Sequence, residues 1–212
     1  MDREKTYLRL VEHYESCLAK HGDTHLGVDW PKLEDVATRY QVMLEVIRPE
    51  HRQQRVSVLD FGCGAAHLLD YLSQPASPWQ VDYAGVDLSP AFIPLCRTKY
   101  PQHAFYCQDI LTASESLPVF DYWVMNGVFT EKRQMSFDEM FAYFCRMIRI
   151  AFDRSRYGFA FNVMSSHVDW ERDDLFHLPL DTLAQFLVKQ VGRNFVIRHD
   201  YGLYEYTVYV YR

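Results

Sequence analysis

Ten residues, VLDFGCGAAH at 58–67, restrict the fold more tightly than any other part of the chain. Val58, Leu59 and Phe61 belong to an apolar run that starts at Val56, the pattern of a strand covered on both faces. Gly62 and Gly64 follow, residues that tolerate positive φ and let another group come close to the backbone. Helical spacing then begins near Ala66 and runs to Leu72. Strand, glycine turn and helix start thus arrive in the order that aims backbone N–H groups, and the positive end of a helix, at a ligand.

The same rhythm continues downstream. YAGVDL (83–88) reads as a second strand, after which Ser89 and Pro90 supply a cap and a proline at the first helical position. HAFYCQ (103–108), FDYWVMN (120–126) and YGFAFNVM (157–164) read as strands three to five. Ser136-x-x-Glu139 is a capping box, with Met140, Phe144 and Ile148 on one helical face behind it. A helix is expected from Asp181 to Val191, ended by Gly192, and then an antiparallel hairpin of FVIRHDY (195–201) with YEYTVYVYR (204–212). The alternation predicts an α/β, Rossmann-like, doubly wound fold. Its seven-stranded sheet should be mainly parallel with an antiparallel last strand, and its ligand crevice should lie at the carboxyl ends of the strands.

Upstream, Leu33, Val36, Tyr40, Leu44 and Ile47 keep helical spacing until Pro49. A weaker stripe of Leu8, Val11, Tyr14 and Leu18 predicts an earlier helix, and turn formers fill 21–31 between the two. The chain is expected to divide into an N-terminal helical arm or lid (1–50) and a ligand-binding domain (51–212).

Charge and cysteine usage exclude several classes. The net charge is −6, and the single basic cluster, RPEHRQQR (48–55), is diluted by Glu50. Such a surface repels phosphate backbones, so no nucleic-acid partner is expected. The 5 cysteines are widely spaced without C-x-x-C, so neither a disulfide framework nor a metal site is predicted. No apolar run approaches 18 residues and no secretory signal is visible, which predicts a cytoplasmic protein with no membrane partner. The residues carry no signal of oligomeric state.

Two nucleotide-binding patterns fail at the glycine loop. A dinucleotide loop wants a third glycine where His67 stands, and a P-loop wants Gly-Lys-Ser/Thr. What stands here is Asp60-x-Gly62-x-Gly64. That segment resembles motif I of the class I S-adenosylmethionine-dependent methyltransferases, although the frequent third glycine of that family is Ala66. GVDLSP (85–90) is similar to the family's second motif. Its acid, Asp87, lies 87 − 62 = 25 residues beyond Gly62, near the interval of about 20 expected for a carboxylate that grips ribose hydroxyls. CQDIL (107–111) resembles the third station.

The resemblance implies S-adenosyl-L-methionine as cofactor, with S-adenosyl-L-homocysteine as product. It assigns Asp60, Gly62, Cys63, Gly64, Asp87, Leu88, Gln108, Asp109, Ile110, Asn126 and Arg39 to cofactor binding. Asp60 would stand near the ammonium group, Asp109 near the adenine amino group beside the apolar wall of Ile110, and Asn126 beneath the sulfonium. Arg39 would meet the cofactor carboxylate and Trp30 would close over the site. Gly127-Val128 replaces the prolines of the amino-methylating branches, which disfavours nucleobase methylation.

A sulfonium is already an activated methyl donor, so alignment is the main task of such a protein. A hydroxyl acceptor also needs a general base. His167 and Asn126 are the catalytic candidates, with His25, His177 and His199 as alternatives. The expected acceptor is a small polar metabolite, sugar-like or another biosynthetic intermediate, methylated on oxygen. Its pocket would mix Trp30, Phe129, Trp170 and Phe176 with Asp169, Glu171, Arg172, Asp173 and Asp174. Methylation of protein or RNA, and cofactor binding without turnover, are the rival readings.

Overall fold

The apolar run at 56–61 forms β1 (Val56–Phe61), flanked by β2 (Val81–Asp87) and β4 (Phe120–Phe129) and parallel to both. This computed structural model describes residues 6–75 and 77–212, so the first five residues of the expected arm lie outside the described residues. β3 (Ala104–Cys107) adds to β2, and β5 (Ser155–Met164) adds to β4, again in parallel. β7 (Glu205–Tyr211) runs antiparallel to β5 and to β6 (Phe195–Arg198), as the hairpin pattern predicts. The seven-stranded order is β3-β2-β1-β4-β5-β7-β6, which reverses direction between β1 and β4. A doubly wound sheet opens its ligand crevice at that switch point.

Period-two alternation sends neighbouring residues to opposite faces, and helices cover both. Trp123, Met125, Phe159 and Phe161 pack with α6 (Phe137–Arg154) and α7 (Leu180–Gln190). Tyr122, Val124 and Ala160 pack on the other face with α2 (Glu34–Leu44), α3 (His67–Leu72) and α4 (Phe92–Lys99). Met43, Leu44 and Ile47 are at most 2% exposed in that second core, so α2 serves as one of the sheet's covering helices. α1 (Leu8–His21) instead crosses the carboxyl end of the sheet, and α5 (Ile110–Ala113) is a single turn after β3.

Two boundaries differ from the sequence reading. The hydroxyl of Ser89 accepts the N–H groups of Ala91 and Phe92, and the regular helix begins at Phe92, so Pro90 stands in the entry turn instead of the first helical position. β4 continues to Phe129 because its register shifts between Met125 and Phe129, a bulge centred on Gly127 at φ +81°. The capping box of Ser136 and Glu139 forms as expected. Among the described residues no helix is long and apolar enough to cross a membrane.

Candidate functional site

A cavity of about 140 Å³ opens at the carboxyl ends of β1, β2 and β4. Asp60, Gly62, Cys63, Gly64, Asp87, Leu88, Gln108 and Asn126 all line it. The loop after β1 sets its shape. Gly62 (φ +71°) and Gly64 (φ +50°) occupy the left-handed region, and a Cβ on Gly62 would lie 2.7 Å from Val128 Cγ2. Ala66, at the position of the missing third glycine, holds φ +59°. That conformation costs roughly 1–2 kcal/mol for a residue with a Cβ, and complete burial of the Ala66 methyl offsets part of it.

Two carboxylates face this loop. Asp60 is 4% exposed and accepts a hydrogen bond from the Tyr83 hydroxyl at 2.7 Å. Burial raises its pKa to about 7; the Tyr83 bond opposes the shift and the nearby charge of Asp87 adds to it. Asp87 accepts the Gly64 N–H at 3.0 Å and the Ser89 N–H at 2.9 Å, which ties the glycine loop to the end of β2. Burial pushes its pKa up while those backbone donors hold it down. Asp82 begins the same strand, is exposed, and pairs with Arg55 at the other end of the sheet.

The bulge in β4 presents Asn126, whose side-chain Oδ1 and Nδ2 are both buried and have no hydrogen-bond partner. Its neighbour Gly127 is held from behind. The Gly127 N–H donates to Asn162 Oδ1 at 2.8 Å, Asn162 Nδ2 donates to Glu205 Oε1 at 3.0 Å, and Arg39 donates to both Glu205 oxygens at 2.7 and 3.0 Å. One polar chain therefore links α2, β7, β5 and β4.

Gly127 and Trp30 are also walls of a second, larger cavity of about 480 Å³. Thr130, Glu131, residues 168–170, Arg172 and residues 202–205 complete much of its lining. Trp30, Trp170, Asp169 and Arg172 stand there as the sequence suggests, but Phe129 and Phe176 are fully buried in the core. The contribution of 202–205 has no sequence signal; the β6–β7 turn reaches the cavity because β7 pairs with β5.

Other expected residues lie elsewhere. Arg39 lines the larger cavity, is engaged by Glu205, and keeps Nη1 buried without a hydrogen bond. Asp109 caps α5 by accepting the Leu111 N–H, and its second oxygen accepts the Tyr7 hydroxyl at 2.6 Å. Ile110 is 2% exposed within the core. Neither Asp109 nor Ile110 is among the residues lining the small cavity. His167 lines neither cavity; its backbone N–H turns to Ser165 Oγ. His177 lines the larger cavity, but both its ring nitrogens are used, at Ser165 O and at the Arg172 N–H, and His25 clasps the Trp30 carbonyl.

The sequence reading expects the N-terminal arm to act as a lid without saying which residues it meets; α1 is strapped over the strand ends. Leu10, Val11 and Tyr14 line the small cavity, and Ser89 Oγ donates to Glu15 at 2.6 Å. Beyond the helix, Asp23 pairs with His67 and Lys99. The stripe of Val11 and Tyr14 was legible as a helical face, but nothing local says what that face covers.

The residues fit the implied cofactor: a glycine cradle that a Cβ would fill, the buried Asp60, the part-buried Asp87 and an orphaned amide converge on one cavity. Comparison with known proteins agrees. A family model described as a methyltransferase domain matches residues 58–150. A protein of Mycobacterium tuberculosis, whose name assigns it provisionally to the methyltransferases, is 31% identical over 156 residues, 73% of this chain and 92% of its own. Magnesium protoporphyrin IX methyltransferase of Synechocystis, solved with bound S-adenosylmethionine, shares 14% identity at a TM-score of 0.66, covering 98% of this chain and 97% of that one. The small RNA methyltransferase HEN1 shares 17% at a TM-score of 0.57, over 82% of this chain and 25% of its own. The two solved structures share the fold. With a relative this similar in sequence, matched over nearly its whole length, the chain belongs to the class I S-adenosylmethionine-dependent methyltransferases.

Proposed function

We propose that the protein transfers a methyl group from S-adenosylmethionine to an oxygen of a small polar metabolite. The observation that carries this reading is the pair of cavities with Trp30 and Gly127 as their common wall. The smaller would hold the cofactor, which supplies a sulfonium-bound methyl group as the electrophile. Asp60 would face the cofactor ammonium, and the remaining lone pairs of Asp87 would accept the ribose hydroxyls. Asn126 would satisfy its buried amide against the bound ligand. Asp109 would reach the adenine only by sharing or releasing Tyr7. Arg39, with a free Nη1, serves the acceptor cavity or the cofactor carboxylate from the far side of Trp30.

The larger cavity suits a metabolite better than a polymer. It is walled on several sides by α2, the loop around Trp170 and the β6–β7 turn, and a ligand engulfed in this way is small. The chain's charge of −6 gives phosphate backbones no attraction. We assign α1 and the loop behind it the role of a lid, and the sheet with its flanking helices the role of a cytoplasmic binding domain.

Calorimetry tests the cofactor half. S-adenosylhomocysteine should bind and NAD should not. Asp87→Ala should weaken that binding by about 1–3 kcal/mol, since hydroxyl donors lose a charged acceptor, and Asp82→Ala should leave it unchanged. Equal affinity of the two variants would sink the assignment of Asp87. A methyl-transfer screen tests the acceptor half; salt-sensitive labelling of RNA in place of small metabolites would overturn it.

A further inference from the structure

One acid in the larger cavity has surroundings that cofactor binding does not use. Glu131 follows the β4 bulge and lies four residues beyond Gly127, the wall common to both cavities. Its side chain is 12% exposed, and Oε2 is buried with no hydrogen-bond partner. Arg133 Nη1 stands 3.2 Å and His13 Nε2 3.7 Å from that oxygen, close enough for attraction but without a hydrogen bond.

The neighbouring groups are committed to one another. His13 Nε2 and Asp29 Oδ2 are 2.7 Å apart, and Arg133 Nη2 lies 3.0 Å from His13 Nδ1. A guanidinium can only donate. Nδ1 is therefore the bare nitrogen, and Nε2 carries the hydrogen that goes to Asp29. Cys17 and Asp29 lie beside His13. Two residues near Glu131 hold positive φ. Asp29 (φ +56°) and Arg133 (φ +51°) are two of the three non-glycine residues with positive φ among the described residues. Such positions persist where the surroundings hold them.

We infer that Glu131 is the general base of the acceptor site, drawing the proton from the hydroxyl that becomes methylated. This rests on the reading of the protein as an O-methylating enzyme of small metabolites. Glu131 lines the larger cavity, and the acceptor's O–H bond breaks as its proton moves to the Glu131 carboxylate while an oxygen lone pair forms the bond to the methyl carbon. The carbon–sulfur electron pair stays on sulfur, which becomes a neutral thioether. Glu131 returns the proton to water after the products leave.

The charges around the group suit this task. Burial raises the Glu131 pKa to about 7; the charge of Asp29, a hydrogen bond shared with the Asp29 carboxyl, and the charge of Asp174 add to the shift, and Arg133 opposes it. His13, Tyr14 and Cys17 of α1, and Arg172 of the loop after β5, are also within its electrostatic reach. A carboxylate whose pKa lies near the working pH is ionised enough to accept a proton and basic enough to hold it.

The test has two arms, both run on the complex with S-adenosyl ligand. In protein carrying ¹³C-labelled glutamate carboxyls and saturated with S-adenosylhomocysteine, the resonance absent from Glu131→Gln should titrate near pH 7. A midpoint in the ordinary carboxylate range overturns the proposal, and this arm decides it without any turnover. In the second arm, S-adenosylhomocysteine release is followed with methanol-soluble metabolite pools as acceptors. The wild-type rate should rise with pH through about 7 and level off. Glu131→Gln should be slower by on the order of 100-fold, and Glu131→Asp should regain part of the rate and the same rising limb. A Glu131→Gln rate within about threefold of wild type also overturns the proposal. Calorimetry with S-adenosylhomocysteine separates the two readings: it should bind Glu131→Gln as it binds wild type, and failure to bind either protein counts against the methyltransferase reading instead.

Discussion

The two cavities on either side of Trp30 and Gly127 are made of different materials. The smaller has a floor of backbone, with two left-handed glycines, the strand ends and carboxylates held by N–H groups of Gly64 and Ser89, beneath side chains such as Leu10, Tyr14 and Tyr143. The larger is made of side chains from five stretches of chain, and its charged groups answer one another across long sequence separations. Arg39 meets Glu205 over 166 residues, and behind the lining residue Glu131, Arg133 meets His13 over 120. A backbone-built site accepts one ligand shape whatever decorates it. A side-chain-built site can be re-cut for a new acceptor by a few substitutions without disturbing the first. This division suits the roles proposed for them, with the methyl donor in the smaller and the acceptor in the larger.

The largest expected effect tests how dry the backbone-built side is. Asp60 keeps its proton in the folded protein up to about pH 7, against the ordinary value of 3.8 in the unfolded chain. Between those values the folded state binds more protons, so stability falls as pH rises. Asp60→Asn cannot ionise. Its stability advantage over wild type, in urea unfolding of the ligand-free protein, should widen by roughly 3 kcal/mol from pH 5 to pH 8. A change below about 1 kcal/mol would mean that water reaches Asp60, and the contrast between the two cavities would weaken.

A comparable break can be aimed at the other side. Glu205→Ala would leave the largely buried Arg39 with only Asp35, 3.7 Å away, and would strip Asn162 of its acceptor. Removing one partner of a buried pair costs several kcal/mol, here about 3. Replacing both, as Arg39→Met with Glu205→Leu, should recover most of that loss in thermal unfolding. If the double variant is as unstable as the single, the chain from Arg39 to Gly127 matters for its geometry more than for its charges.

The smallest effect concerns the missing glycine. Ala66→Gly would relieve a left-handed alanine, but it would also remove a fully buried methyl and add backbone freedom to the unfolded chain. These contributions oppose one another, and the variant should lie within about 1 kcal/mol of wild type in denaturant unfolding. A stabilisation well beyond that would show the loop to be more strained than its packing allows.

Legibility follows the same division. β1, β2, the glycine loop and Asp87 could be read because each is a local pattern: an apolar run, a residue without Cβ, an acid at a strand end. Eight of the eleven expected cofactor residues line the small cavity for that reason. Asp109, Ile110 and Arg39 stand apart because their partners come from outside the local segment: Tyr7 takes the carboxylate of Asp109, the core takes Ile110, and β7 supplies Glu205. His167 carries no such pattern at all.

By itself, then, the amino-acid order determined the α/β alternation, the hairpin that reverses the last strand, and the loop that must be built from glycine. Each of these rests on periodicity or on the conformational range of single residues, which act over a few positions. Tertiary structure decided that α1 straps the strand ends, that the β6–β7 turn helps to wall the larger cavity, and that Glu131 sits largely buried beside Asp29. Those facts depend on which distant segments meet, and on how burial in their shared surroundings shifts a proton. Both arise only once the sheet order has brought residues 13, 29, 131 and 174 into one place.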